Sequence, residues 1–373
     1  LVTAFYNTRI VTNGTIIPDK AVLVDNGKIT GIVSELEIPD AVQKIDLKGA
    51  YLAPGLIDLQ IYGTGNYFFG GKPSVAALMG METELIKQGC TGFMATIATN
   101  TNDIVEAGIA AAKLYRQQAR GAFLGLHLEG PYLNPKRRGA HPGKYIKKAT
   151  LKEVEQWVEM AGGEIKMITI APELQDEEVI GYLHRQGIIL SAGHSNATYA
   201  EARKFINRPV TAITHLYNAM PQMHHREPGI IPAIFEEKPY TSIVADGIHV
   251  DFTMIALAKR ELGDKLFLIT DAVAENTEGA YPHHFTGDRF TMPDGTLSGS
   301  CLTMLKAVQN CVQCCNIPLP EAINMASLYP ARLAQLSGKG SIEAGYDADL
   351  VVFDDNFKVQ SVVLKGGLLI MST

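Results

Sequence analysis

An α/β fold is predicted for this 373-residue chain, a (β/α)8 TIM-type barrel carrying a small β-sandwich formed from both termini. Three observations predict it. Eight short apolar runs alternate with amphipathic segments through the middle of the chain. Both ends read as strands and tight turns. Several of the central runs stop on a side chain of metal-ligand type, as strands feeding one mouth of a closed parallel sheet do.

Taken in order, residues 1–50 hold strands and turns. Ala21–Asp25 and Lys28–Val33 flank Asn26-Gly27, a dipeptide that supplies the positive φ values of a two-residue hairpin turn. The C-terminus has the same character. Ala348–Phe353 and Val359–Leu364 are β-rich, and Lys365-Gly366-Gly367 turns the chain before Leu368–Met371. One sandwich from residues 1–53 and 340–373, with a barrel over 54–339 inserted between them, is the economical arrangement. The barrel strands are expected near Leu56–Ile61, Gly92–Ile97, Phe123–Leu128, Ile165–Ile170, Ile188–Ala192, Val210–Thr214, Ser242–Ala245 and Leu266–Thr270. Helices are expected over Ser74–Lys87, Asp103–Arg120, Leu151–Met160, Asp176–Gln186, Tyr199–Ile206 and Phe252–Leu262. Residues 281–300, with Pro293-Asp294-Gly295, read as a β-hairpin after the eighth strand. An open doubly wound sheet is the rival fold, but it rarely needs eight parallel strands with so many polar ends.

Composition narrows the function classes. Hydrophobic residues at 46% and charged residues at 19% are the balance of a soluble globular protein. A net charge of −6 speaks against non-specific nucleic-acid binding. No window of 18 apolar residues suggests a membrane span, and the first ten residues lack the apolar core of a signal peptide. The chain starts at Leu1 rather than Met, so a few native residues are expected to be missing. Five cysteines, an odd number, suit a reducing cytoplasm. Cys311, Cys314 and Cys315 fall in a segment, Cys301–Asn316, that reads as a helix. They are expected to be small buried apolar side chains rather than a zinc or redox site.

The chemistry is carried by Glu129, His194 and His215, which end the third, fifth and sixth runs. One carboxylate and two imidazoles suit one catalytic divalent cation, zinc first and iron, cobalt or manganese as alternatives, with a position left for water. Asp271, at the end of the eighth run, is placed as the acid/base. His141, Arg226 and His249 lie on loops after the third, sixth and seventh runs. Arg226 offers a planar fork for phosphate or carboxylate, and His141 and His249 can donate to a carbonyl oxygen or an oxyanion. His283 and His284, in the hairpin, are expected at the surface.

Across almost its whole length the chain resembles the amidohydrolase superfamily, and within it the sugar-phosphate deacetylases. The resemblance is carried by A-P-G-L-I-D at 53–58, H-L-E-G-P-Y-L-N at 127–134, A-P-E at 171–173, S-A-G-H-S-N-A at 191–197 and T-H-L-Y-N-A-M at 214–220. It continues in R-E-P-G at 226–229, A-D-G-I-H-V-D at 245–251, T-D-A at 270–272, G-T-L-S-G-S at 295–300 and L-Y-P-A-R at 328–332. The resemblance implies hydrolysis of N-acetyl-D-glucosamine 6-phosphate to D-glucosamine 6-phosphate and acetate. It implies metal binding by Glu129, His194 and His215, acid/base work by Asp271, and contact of His141 with the acetamido carbonyl. Asn218 and Ala219 would help place the sugar phosphate, Leu297, Ser298 and Gly299 would line the sugar side of the pocket, and Ala140 would also bind substrate. It also implies a homodimer in which Arg226 and His249 reach the phosphate bound by the neighbouring subunit.

The chain departs from the superfamily at one place. Many members carry His-x-His after the first strand for a second metal, whereas here Gln60 and Tyr62 stand there. Both are poor replacements for imidazole, so one cation is expected, not two. A cyclic-amide hydrolase of the dihydroorotase or allantoinase kind is the second enzymatic reading. The missing His-x-His and the lack of a metal-bridging lysine count against it. A non-catalytic sugar-phosphate binder is the third reading, and it would have no use for an acid/base such as Asp271.

Overall fold

The computed structural model describes residues 2–370. Its centre is an eight-stranded parallel sheet whose neighbours follow chain order: Leu56–Ile61, Cys90–Ala98, Phe123–Glu129, Ile165–Ile170, Ile189–Ala192, Ala212–Ile213, Tyr240–Val244 and Leu266–Ile269. The sheet closes into a barrel where Asp271 N donates to Gln60 O at 3.1 Å and Tyr62 N to Ala272 O at 2.9 Å. Every residue of the first two strands is buried, as expected of strands covered by helices outside and packed side chains inside. Helices follow most strands, among them Val75–Lys87, Asn102–Arg116, Leu151–Ala161, Glu177–Arg185, Tyr199–Phe205 and Phe252–Leu262.

Several local expectations need correction. The sixth strand is only Ala212–Ile213, because the backbone turns sharply at His215. A helix at Ile230–Glu237 escapes the periodicity reading, since its first six residues are apolar or proline and show no polar face. The segment after the eighth strand is a three-stranded meander (His284–Phe285, Arg289–Thr291, Leu297–Ser300) rather than a simple hairpin. The cysteine-bearing helix is shorter, Met304–Cys314, and Cys314 is exposed while Cys311 and Cys315 are buried.

Two further sheets lie beside the barrel. One has the order Lys28–Ser34, Lys20–Asp25, Thr3–Tyr6, Gln43–Asp46. The other runs Gly367–Ile370, Val359–Leu364, Leu350–Phe353, Tyr51–Pro54, Arg9–Thr12, Thr15–Ile17, so strands from both ends of the chain share it. The Asn26-Gly27 turn has φ of +48° and +77°, the geometry that joins Lys20–Asp25 to Lys28–Ser34 in register. Phe5, Val22, Ile29, Leu52, Leu350 and Val363 form one apolar core between the two sheets. The outer face of the six-stranded sheet is apolar as well. Val351, Phe353 and Val362 belong to the barrel's own core, so the two parts are packed against each other without a polar layer. No helix among the described residues is long and apolar enough to cross a membrane.

Candidate metal and substrate site

The side chains predicted from the strand ends converge on one mouth of the barrel. Glu129 is the last residue of its strand, where Gly130, at φ +84°, turns the chain away. His194, His215 and Asp271 each lie two residues beyond a strand, at φ of +48°, +36° and +53°. The left-handed region costs a non-glycine residue about 1 kcal/mol or more. At all three positions that twist brings the side chain back over the mouth.

Glu129 Oε1 is 3.0 Å from His215 Nε2 and 3.3 Å from His194 Nε2, and the two Nε2 atoms are 3.1 Å apart. His194 Nδ1 lies 2.8 Å from the Arg137 carbonyl oxygen, which can only accept. That nitrogen therefore carries the proton, and Nε2 of the neutral ring is a bare lone pair facing a carboxylate. Such an arrangement repels itself unless a cation sits among the atoms, so the donor set fits a divalent metal. His141 joins the cluster. Its Nε2 is 3.0 Å from Glu129 Oε2, and Glu129, His141 and His194 offer ligand atoms all within 4.8 Å of one another. Sequence reasoning reserved His141 for the substrate, whereas its position also allows it to bind the metal.

Gln60 and Tyr62 complete this shell. Gln60 Nε2 is 3.0 Å from Glu129 Oε1 and 2.9 Å from Asp271 Oδ1, and the Tyr62 hydroxyl donates to Glu129 Oε2. Hydrogen-bond donors thus occupy the carboxylate oxygens that a second cation would need.

Burial alone would raise the Glu129 carboxyl, but the facing His141 and His194 rings hold it well below the ordinary carboxylate range. Burial pushes the Asp271 carboxyl up, against the pull of His215 and other histidines. Burial lowers His194 and favours the neutral ring that a metal requires. His215 is opposed by burial yet raised by the hydrogen bond and charge of Glu129. Its Nδ1 is buried without a hydrogen-bond partner among the described residues.

The remaining predicted residues divide. Ala140, Asn218, Ala219, His249, Leu297, Ser298 and Gly299 line the cavity above the cluster. His249 is anchored by Asp246 Oδ2 at 2.6 Å from its Nδ1, which leaves Nε2 3.8 Å from Asp271 Oδ2. It therefore faces the cavity of its own chain. Arg226 does not line the cavity and is exposed on its loop.

Three features escaped the sequence reading. His283 is buried and lines the cavity rather than lying at the surface, because its Nδ1 meets Ser298 Oγ at 2.9 Å and its ring packs on Tyr281 and Phe68. His284 is exposed, as expected. Tyr281 donates to Thr99 O at 2.6 Å and lies 3.2 Å from His141 Nδ1, which fixes that ring. Glu173, in the A-P-E run, accepts from Asn134 Nδ2, Ser195 Oγ and Asn196 N at 2.8–2.9 Å, so it ties the loop carrying His194 to its neighbours. A carboxylate in the short A-P-E loop run was the available signal for Glu173. Nothing in the local sequence marks His283.

A model of the amidohydrolase family matches residues 51–369, and one of the NagA composite domain matches residues 3–52. The N-acetylglucosamine-6-phosphate deacetylase of Haemophilus influenzae is 34% identical over 97% of this chain and 98% of its own. That of Bacillus subtilis is 32% identical over 97% of this chain and 96% of its own. Among solved structures, the N-acetylglucosamine-6-phosphate deacetylase of Pasteurella multocida superposes with a TM-score of 0.95 at 34% identity, covering 100% of both chains. A mutant of the Mycobacterium smegmatis enzyme in complex with N-acetyl-D-glucosamine-6-phosphate gives a TM-score of 0.90 at 25% identity, over 100% of this chain and 99% of the other.

Proposed function

This chain belongs to the amidohydrolase family, and on that premise we propose that it hydrolyses N-acetyl-D-glucosamine 6-phosphate to D-glucosamine 6-phosphate and acetate. The observation that carries the reading is the convergence of Glu129, His194 and His215 on one point, beside the largely buried carboxylate of Asp271, in a cavity that all four line. When bound there, a divalent cation supplies a Lewis acid and an acidified water at neutral pH. Glu129 Oε1 and Nε2 of His194 and His215 are the proposed ligands, and zinc is the proposed ion, ahead of iron, cobalt and manganese.

Asp271 takes a proton from the attacking water and returns it to the amine nitrogen as the C–N bond breaks, so water is consumed and no proton is left over. Gln60 orients that carboxylate by its hydrogen bond to Oδ1. His141, steadied by Tyr281, polarises the acetamide carbonyl and stabilises the oxyanion. Asn218, Ala219 and His249 hold the sugar phosphate on one side, and Ala140, Leu297, Ser298 and Gly299 line the other. Arg226, exposed and outside its own chain's cavity, is read as the phosphate clamp of a neighbouring subunit in a homodimer. Gln60 and Tyr62, where a second metal would bind, weigh against the cyclic-amide reading.

The test is acetate release from the phosphosugar by freshly purified protein, with and without chelator, paired with metal analysis. Chelator-sensitive acetate release with one metal per chain is expected. Metal-replete protein that releases no acetate would overturn the proposal.

A further inference from the structure

His283 has no place in the proposed chemistry, yet the structure treats it as part of the cavity. Its side chain is 2% exposed. Its Nδ1 lies 2.9 Å from Ser298 Oγ. The ring stacks on Tyr281 with centroids 5.9 Å apart and an interplanar angle of 23°, and it meets the Phe68 ring edge-on at 5.1 Å. Three neighbours thus fix an imidazole that lines the cavity wall, with Nδ1 engaged by Ser298 and no hydrogen bond at Nε2 among the described residues. A polar atom held this rigidly inside a binding cavity is organised for a ligand's polar group. Burial lowers His283 to about 4, so the ring is neutral at working pH and offers one hydrogen bond without charge.

The position of the ring says which part of a sugar it can meet. Tyr281 touches His283 on one side and His141 on the other, at 6.1 Å between ring centroids. His283 is therefore one aromatic ring away from the side chain assigned to the acetamide carbonyl. The hydroxyls nearest that carbonyl in a 2-acetamido sugar are those on the two flanking carbons, C1 and C3. We propose that His283 is a specificity-determining residue whose Nε2 hydrogen-bonds a hydroxyl flanking the acetamide carbon, with Ser298 and Tyr281 fixing the ring for that contact. The inference rests on the deacetylase reading above and adds a recognition element to it.

The test compares kcat/KM for N-acetyl-D-glucosamine 6-phosphate and its 1-deoxy, 3-deoxy and 4-deoxy counterparts across wild type, His283→Phe, His283→Asn and His283→Gln. Phe keeps the ring packing but removes both nitrogens. Asn keeps a partner for Ser298 but lacks the Nε2 position, and it decides the matter if the Phe variant does not fold. Gln restores a polar atom near Nε2. Wild type is expected to lose about 2- to 13-fold on either the 1-deoxy or the 3-deoxy analogue, the range of one neutral hydrogen bond. In the Phe and Asn variants the parent substrate should suffer a similar loss, mainly in KM, and that analogue should carry no further penalty. Gln should recover part of the discrimination, and the 4-deoxy penalty should be the same in all four proteins. Unchanged 1-deoxy and 3-deoxy penalties in the Phe and Asn variants would overturn the proposal, as would a wild type that penalises neither analogue. Wild type that releases no acetate from the parent compound sinks the deacetylase reading itself, a result separate from any pattern among the analogues.

Discussion

Asp271 carries three constraints at once: a left-handed backbone, a largely buried carboxylate, and a hydrogen bond from Gln60. None of these is needed to hold the barrel together locally, and all of them fix one oxygen beside the metal-type ligands. Asp271→Asn preserves size and leaves Glu129, His194 and His215 in place. It should therefore retain bound metal and its melting temperature while kcat falls by about 10²- to 10⁴-fold, the range of a lost acid/base. Near-normal turnover in that variant would remove Asp271 from the reaction. Tyr62 is a different case, since it touches a ligand and not the proposed reacting atoms. Tyr62→Phe deletes the hydrogen bond to Glu129 Oε2, and metal affinity should weaken about 10-fold in a chelator competition. Unaltered affinity would mean that the phenol only fills space. The four central residues were legible in the sequence because each sits at the end of an apolar run, where the barrel geometry leaves one destination. His283 was not legible because its partner Ser298 lies on the last strand of the meander, and no local pattern reports a contact made by folding back.

Among elements, the seam between the first and eighth strands closes the sheet. Asp58, fully buried on the first strand, accepts from Gln60 N at 3.1 Å, from Thr270 N at 3.3 Å and from the Thr270 hydroxyl. Burial pushes its carboxyl up to about 7 despite these bonds. The folded chain thus holds this proton more tightly than the unfolded one. The stabilisation is complete below about pH 4 and disappears as pH rises through about 7. Asp58→Asn retains an oxygen for the two backbone donors and can donate to Thr270, but it has no proton to lose. Its melting temperature should fall less steeply between about pH 5 and pH 8 than that of wild type, and parallel curves would refute the assignment. The alternation of strands and helices was readable from apolar runs and polar faces. The Ile230–Glu237 helix was not, because a largely apolar segment with an internal proline has no periodicity to detect. The Ala212–Ile213 strand was overestimated, because the buried Val210 that extends the apolar run bridges to Ile206 and not to a neighbouring barrel strand.

On the scale of the whole molecule, strands from both ends of the described chain share one flanking sheet, while the apolar cores do not keep that sheet apart from the barrel. Val11 and Ala53 near one end, and Val351, Phe353 and Val362 near the other, pack into the barrel's core. Gly89 shows how close the approach is, since a Cβ there would meet Val351 Cγ2 at 2.6 Å. A protein limited to residues 54–339 would expose that face to water. It should fail to give a cooperative melt and should aggregate on concentration. A soluble fragment that melts cooperatively and binds metal would show the barrel to be self-sufficient. The β character of both ends was plain in the sequence, from the Asn26-Gly27 turn and the C-terminal strands. The shared core was not, because alternating residues on a sheet reveal that two faces are apolar without revealing what covers each one.

The pairing of Leu350–Phe353 with Tyr51–Pro54 has a consequence for how the chain comes into being. During synthesis the Tyr51–Pro54 strand emerges well before Leu350–Phe353, and one of its edges stays bare until that later strand has been made. A nascent chain of this protein therefore carries an unmatched β-edge between those two events, a period in which a chaperone or a second nascent copy can compete for the place that Leu350–Phe353 fills.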